Sequence, residues 1–473
     1  MVSAMGQLSS SSPLVWVAAA TAAFCGLMTH NPVLTPASLL LVPLLLWLTW
    51  RLGEPPALMF VCAIHWLQAS AAIFYTDIFS TSLADAFGGI ELEKATWLSL
   101  AGVLALAFGM RLALLRCGAP KSSQLSAEAL SINVPRAFAA YAASCILSFA
   151  ASAAAQRAPT LSQPLLFVGA TKWVFVFVLA YSVVEQRRGY ALLTLAVFFE
   201  LSVGLLGFFS DFKGVFLVLG VATLTSVLAL RGKRLVLISG LAMILALLFS
   251  IWTSVKSDYR EFLNQGFRSQ EVLVPVEERV GKLQDLLNGF DAQQLEEGFE
   301  GLMLRVSYVQ FFALTMKNVP DSVPYEHGAL WLDALKHVVT PRVLFPNKPA
   351  IDDSERTSYY TGLEVAGAEQ GTSIGIGYFA ESYVDFGPIG MFAPLILLGL
   401  GLGAIYRGFV INGRYKLLGG AIVTAIMVFG AATIETSNMK VLGGVITMLL
   451  VMGGLYLLFA GVLTRWLTGR ISS

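Results

Sequence analysis

Apolar runs long enough to cross a bilayer recur twelve times along this chain, and they confine it to a narrow set of folds. Crossing about 30 Å of hydrocarbon at about 1.5 Å per residue takes an apolar helix of about 17–25 residues. The runs fall at 13–29, 34–50, 57–75, 95–115, 137–155, 164–184, 190–209, 214–230, 235–255, 389–406, 417–434 and 441–466. Composition agrees: 56% of residues are hydrophobic, 13% are charged and the mean hydropathy is +0.72. Soluble domains are about 45–50% apolar and about 25% charged. The expected fold is an all-α polytopic membrane protein with about twelve transmembrane helices. The first run is not read as a cleavable signal peptide, because no basic segment precedes it and the second run follows almost at once.

Basic residues alternate from loop to loop. One set carries Arg51, then Arg116, Lys121 and Arg136, then Arg187 and Arg188, then Arg231, Lys233 and Arg234, then Arg407, Arg414 and Lys416, and finally Arg465 and Arg470. The opposite short loops hold only Lys94, Arg157, Lys213 and Lys440. Lysine and arginine accumulate on the cytoplasmic side, so both termini are expected there. The chain then divides into nine spans (1–255), an outward-facing, mostly helical loop with a surface helix (256–388), and three last spans (389–473).

That loop is the one long hydrophilic stretch. From Lys256 to Gly371 it holds 11 of the 31 Lys and Arg residues against 18 Asp and Glu, so it is acidic while the whole chain has a formal charge of +1. An acidic insert excludes nucleic acid as its partner. Cys25, Cys62, Cys117 and Cys145 lie in spans or at a cytoplasmic edge, which predicts neither a disulfide framework nor a zinc site in the loop. Val276, Val280, Leu283 and Leu287 have the spacing of an amphipathic helix. A second helix is expected from a capping box at Asp291 and Gln294, running through Leu295, Phe299, Leu302, Val306, Val309, Ala313 and Met316 to Pro320. A third spans His327 to Val339, stopped by Pro341, and the chain is then turn-rich. Ile374 to Phe386 regains helical spacing and sets Tyr378, Glu381, Ser382 and Asp385 on one face.

Several side chains carry chemistry. Arg342 lies between Pro341 and Pro346, and Lys348 follows before Pro349. A constrained guanidinium plus an ammonium suits a diphosphate; a structural fork to loop carboxylates is the other reading. Arg305 sits among apolar residues of the second loop helix and either pairs with an acid such as Glu300 or faces a phosphate. Lys213, in the short outer turn Ser210 to Gly214, either snorkels or contacts a phosphate. Lys172 and Glu200 fall within spans, where charges are functional candidates by default. The other reading is that they pair with each other and are structural, and His65 reads as a packed or hydrogen-bonded core residue rather than a catalyst. Acids available as a general base are Glu381, Asp385, Asp352, Asp353 and Glu435, with His327 as an outside candidate. Glu381 ranks first from its place at the head of the last bundle. Asp352-Asp353 reads as a weak metal pair or as a helix cap.

The string Thr340-Pro341-Arg342-Val343-Leu344-Phe345-Pro346-Asn347-Lys348-Pro349 resembles a signature of the bacterial O-antigen and exopolysaccharide repeat-unit polymerases, the Wzy-type family. The stretch Gly375-Ile376-Gly377-Tyr378-Phe379-Ala380-Glu381-Ser382-Tyr383-Val384-Asp385-Phe386-Gly387-Pro388-Ile389-Gly390 is similar to that family's lead into a late transmembrane helix. The turn Ser210 to Gly214 is a third point of similarity. The motif-level resemblance covers about 300–405. It implies a GT-C-like glycosyltransferase of the bacterial inner (cytoplasmic) membrane with the loop in the periplasm. Its substrates would be undecaprenyl-diphosphate-linked oligosaccharides, and its partners a chain-length regulator and the flippase of the same pathway.

On this resemblance a hydroxyl of the incoming unit attacks the anomeric carbon of the growing chain and expels undecaprenyl diphosphate. Arg342, Lys348, Arg305 and Lys213 would bind the diphosphate, with Glu381, Arg342 and Asp385 as the catalytic set and no metal or other cofactor. The related O-antigen ligases carry a His-Asn pair ahead of the last surface helix, and Gly371-Thr372-Ser373-Ile374 has none. A flippase for lipid-linked oligosaccharides would line its bundle with more charges and have shorter loops. A dolichyl-type transferase would place acids in a large first outer loop, which here is only about Thr29 to Val33.

Overall fold

Each of the twelve apolar runs coincides with helix in the computed structural model, which describes residues 13–85, 89–118, 122–206, 212–226, 233–265, 274–289, 291–342, 344–348, 351–367 and 373–469. Lys121, Ser210, Asp211, Arg231, Val343, Pro349, Gly371, Thr372 and Arg470 lie outside them. The chain opens with α1 (Pro13–Gly26), α2 (Leu34–Thr49), α3 (Ala57–Ile78), α4 (Gly89–Leu114), the short α5 (Ser122–Ser131) and α6 (Val134–Arg157). The sixth run is split into α7 (Ser162–Gly169) and α8 (Thr171–Gln186), and α9 (Tyr190–Leu206), α10 (Lys213–Thr225) and α11 (Lys233–Leu263) come next. The hydrophilic insert folds as α12 (Val276–Asn288), α13 (Ala292–Val306), α14 (Val309–Asn318), α15 (Ala329–Val339) and α16 (Asp353–Thr361). Last come α17 (Tyr378–Gly390), α18 (Phe392–Tyr406), α19 (Lys416–Gly430) and α20 (Asn438–Thr468).

Every regular element among the described residues is helical. Six stretches are long and apolar enough to cross a membrane: Ala57–Ile78, Glu91–Leu114, Val134–Arg157, Pro159–Gln186, Phe392–Ile411 and Asn438–Thr468. Shorter apolar stretches of 10–17 residues lie at Val15–Gly26, Leu34–Thr49, Tyr190–Leu205, Lys213–Thr225, Leu247–Lys256 (within α11) and Lys416–Gly430 among the described residues. Local chemistry sets the ends. Asn133 caps α6 by accepting from the Arg136 N–H at 3.1 Å, with Pro135 in the first turn, where a missing N–H costs nothing. The tightest packing joins α4 to α18. A Cβ on Gly109 would lie 2.1 Å from the Ile396 carbonyl oxygen, and one on Gly399 2.1 Å from that of Leu106. Only residues without a side chain let two backbones approach so closely.

The insert lies down on the bundle. α13 packs on α11 and α3, α14 on α4, and α15 on α20. Its capping box forms as expected, the Gln294 N–H donating to Asp291 Oδ1 at 2.8 Å and the Asp291 N–H to Gln294 Oε1 at 3.2 Å. The second loop helix does not run unbroken to Pro320. It stops at Val306 and restarts at Val309, because Ser307 takes a non-helical ψ of 79° and the Tyr308 hydroxyl is tied to the Gly375 carbonyl. The turn-rich stretch also contains more helix than its sequence suggests: Asp352 caps α16 by accepting from the N–H groups of Ser354 (3.0 Å) and Glu355 (3.3 Å). The cap, of the two readings of Asp352, is the one the fold uses.

Inside the bundle, Lys172 Nζ meets Glu200 Oε2 at 2.6 Å, and the Tyr141 hydroxyl donates to Glu200 Oε1 at 2.9 Å. His65 is fully buried, with Nδ1 2.7 Å from the Val61 carbonyl and Nε2 bonded to the Tyr378 hydroxyl. Of the readings open from sequence, both observations match the packed, partnered ones.

Candidate functional site

α17 does not lie on an outer surface with a polar face to solvent. It is enclosed: Tyr378, Glu381, Ser382 and Asp385 are all buried, and α14, α15 and α20 close around it. The approach to the helix is held by backbone fit. Gly377 has φ +87°, and a Cβ there would sit 2.4 Å from the Ile434 carbonyl oxygen. The next N–H, that of Tyr378, donates to the Thr436 carbonyl at 2.9 Å. Residues 373–377 are laced to α16 as well, the Ile374 N–H donating to Ser354 Oγ (2.9 Å) and the Thr357 hydroxyl to the Ile374 carbonyl (2.6 Å). Three distant parts of the chain therefore meet at the first turn of α17.

Glu381 stands where they meet. Its Oε2 accepts from the Asn438 backbone N–H at 2.6 Å, and its Oε1 lies 4.0 Å from Arg356 Nη1. Burial pushes its carboxyl up to about 7, against the pull of the Asn438 N–H and Arg356 and with help from Asp353 and Asp385. Asp353 is 2% exposed and pairs through Oδ2 with Lys440 Nζ at 2.7 Å. Lys440 also donates to Ser373 Oγ at 2.7 Å. Asp353 Oδ1, Arg356 Nη1, Ser437 Oγ and both polar atoms of the Asn438 side chain are buried and have no hydrogen-bond partner among the described residues. Leaving one buried polar atom unmade costs about 1–3 kcal/mol. Five such atoms lie near Glu381, where water or a polar ligand would satisfy them.

The four candidate diphosphate residues come together in two pairs. Arg342 and Lys348 lie beside His337, whose imidazole is held down at about 4, first by burial and then by Lys348, Arg342 and Arg356. His337 and Lys440 line a cavity of about 390 Å³ whose other walls include Phe167, Phe429 and Met439. Arg305 and Lys213 form the second group with Lys256 and Arg260. Burial, then Arg305, Arg260 and Lys213, hold the Lys256 ammonium down at about 8. Glu435 is their counter-charge: desolvation raises its carboxyl, and Arg305 and Lys213 act against that rise.

Two sequence-predicted residues turn out to cap one helix. Asp385 accepts from the N–H groups of Leu330 (3.0 Å) and Trp331 (2.9 Å), which satisfies the N-terminus of α15. Lys348 Nζ donates to the carbonyls of His337 and of Thr340 (3.0 Å) at its C-terminus. Acid at the start and base at the end complement the helix dipole. Sequence reasoning missed Arg356, Lys440, Asn438, Lys256 and Arg260 as site residues. Lys440 had a signal, as one of the few bases on the sparsely charged side of the bundle. Arg356 had a fainter one, one turn after Asp353 on the helix that Asp352 caps.

Fold and site together define an all-helical protein with membrane-spanning character and a buried, cation-flanked carboxylate centre. The chain belongs to the family described as Domain of unknown function (DUF8712), which matches residues 100–452 and so includes the whole carboxylate cluster. No curated protein and no solved structure matches it.

Proposed function

We propose that the protein is a GT-C-like glycosyltransferase that polymerises undecaprenyl-diphosphate-linked oligosaccharide repeat units, moving the growing glycan onto the incoming unit. On this reading all twelve apolar helices cross a bacterial cytoplasmic membrane, both termini are cytoplasmic and the insert is periplasmic. The observation that carries the reading is Glu381, a buried carboxylate poised near neutrality with Arg356 at 4.0 Å and with five polar atoms of neighbouring residues that have no partner among the described residues.

A base works best when its pKa lies near the working pH. Glu381 takes the proton of the acceptor hydroxyl as that oxygen bonds to the anomeric carbon. The bond from that carbon to the phosphate oxygen breaks, and the electron pair leaves with the diphosphate. Fixed positive charge favours this step because negative charge grows on the leaving group. Arg356, 4.0 Å from Glu381, and Lys440, paired with Asp353, supply it nearest the base, with Arg342 beside His337 and the Arg305–Lys213 group contributing further positive charge. Asp385 and Lys348 serve the reaction through α15, which they cap.

The test uses purified protein in nanodiscs with undecaprenyl-diphosphate-linked repeat units and EDTA, comparing wild type with Glu381→Gln and Arg342→Ala. A ladder of lengthening glycans that both variants lose supports the reading. Passage of substrate across the bilayer without a new glycosidic bond would make the protein a transporter. A single transfer onto lipid A core would make it a ligase, and either result defeats the proposal.

A further inference from the structure

A second cavity, of about 550 Å³, opens between the C-terminal end of α3 and the junction of α13 with α14. Its size falls in the range of about 300–1,000 Å³ usual for small-molecule clefts. Tyr75 and Phe79 form an aromatic edge, with ring centroids 4.6 Å apart, and Phe79 is 42% exposed. Glu300, whose Oε1 accepts from the Tyr75 hydroxyl at 2.8 Å, adds a carboxylate, Gln310 a carboxamide, and Thr81 and Ser307 two hydroxyls. Ser307 is 3% exposed, and its Oγ has no hydrogen-bond partner among the described residues.

We infer that this cleft binds the glycan part of the substrate, the sugar rings next to the one that reacts. The inference rests on the polymerase reading for its choice of sugar. A saccharide presents hydroxyls around a ring whose C–H face is apolar. It needs donors and acceptors on some walls and an aromatic surface on another, and this cleft supplies both. No lysine or arginine lines it, so its ligand is not the phosphate itself. A hydrocarbon tail would match the Ala72, Leu92 and Met303 side of the cleft but would leave the Ser307 hydroxyl unmade.

Position supports the assignment. Ser307 is joined to Tyr308, whose hydroxyl donates to the Gly375 carbonyl. A Cβ on Gly375 would lie 3.5 Å from Asp353 Oδ2, so Tyr308 and Gly375 link the cleft to the carboxylate cluster. Arg305 precedes Ser307 by two residues in the same chain segment. Diphosphate at Arg305 and sugar rings in the cleft would follow one another in the order in which a lipid-linked glycan carries them.

The probe is the repeat-unit oligosaccharide freed from its carrier by mild acid, which has neither diphosphate nor lipid. Saturation-transfer NMR and calorimetry on the full-length protein in nanodiscs should show saturable binding. Phe79→Ala and Gln310→Ala should each weaken it by about tenfold, with unfolding temperatures matching wild type. No saturable binding, or equal affinity in wild type and both variants, overturns the inference. So does native mass spectrometry showing that the cleft retains a lipid chain which Phe79→Ala releases. Failure of the polymerase reading looks different: the free glycan binds and Phe79→Ala weakens it, but no polymer forms. Conversely, polymerisation by Phe79→Ala with unchanged KM for the glycan removes the cleft and leaves the polymerase.

Discussion

Two buried sets of charge in this molecule use the same chemistry to opposite ends. Between α8 and α9, Glu200 has Lys172 at 2.6 Å on one oxygen and the Tyr141 hydroxyl at 2.9 Å on the other. Lys172 also sits over the Trp173 ring, 4.5 Å from its centroid. That set is closed. Around α17, Glu381 has one short hydrogen bond and a guanidinium at 4.0 Å, and its neighbours carry five polar atoms with no partner among the described residues. A satisfied pair fixes helices in register. An unsatisfied cluster holds free energy in reserve for something that will satisfy it.

The contrast breaks hardest at Glu381. Glu381→Gln still offers an oxygen to the Asn438 N–H but accepts no proton, so polymerisation should fall by about 10²–10⁴-fold. The rising limb of the wild-type pH profile near 7 should vanish with it. Stability should move the other way. The folded carboxyl is raised from 4.5 to about 7, so its contribution is fully present below about pH 4.5 and is lost as pH rises through about 7. Thermal unfolding should place the Gln variant level with wild type at pH 4.5 and above it at pH 8.

Lys172→Met tests the closed set. It leaves Glu200 charged and buried, which should cost about 3–5 kcal/mol. Adding Glu200→Leu should recover most of that loss, with polymer length unchanged, as read by unfolding curves and glycan ladders. A double variant that folds but no longer polymerises would erase the distinction between the two sets. Arg356→Gln sharpens it: the side chain is 25% exposed and its Nη1 stands 4.0 Å from Glu381, so unfolding should shift little while turnover drops by about 10²-fold. The smallest effect belongs to Lys348→Met. Losing a helix C-cap should cost about 0.3–1 kcal/mol and leave turnover within a few fold. A tenfold loss of turnover would return Lys348 to the diphosphate.

The reading from sequence succeeded where the signal is local. Apolar runs become helices, the Asp291–Gln294 capping box forms, and Lys172 finds Glu200. Glu381 stood out from its place in the chain, at the head of the last bundle. The remainder of the site depends on residues brought together across long stretches of chain. Nothing near Asp385 tells a reader that its oxygens will meet the N–H groups of Leu330 and Trp331, more than fifty positions earlier. Asn438 contributes a backbone N–H, which every residue but proline possesses, so no pattern of side chains could announce it. The break at Ser307 escaped for the same reason. Its cause is a tether from Tyr308 to a carbonyl in another part of the loop.

The close seat of Gly377 against Ile434 has a mechanical consequence. With the hydrogen bonds from Tyr378 to Thr436 and from Asn438 to Glu381, it rivets the base of α17 to the mouth of α20 at three successive points. Such a joint behaves as an anvil: it transmits load but does not yield. On the proposed function, play that admits a glycan would come from the arm that runs from α15 to α16, whose hydrogen bonds to α17 and its approach include the side chains of Asp385, Ser354 and Thr357. The moving part of this machine would then be the segment that carries Arg342 and Arg356, and each stroke would bring the positive charge to a base that never moved.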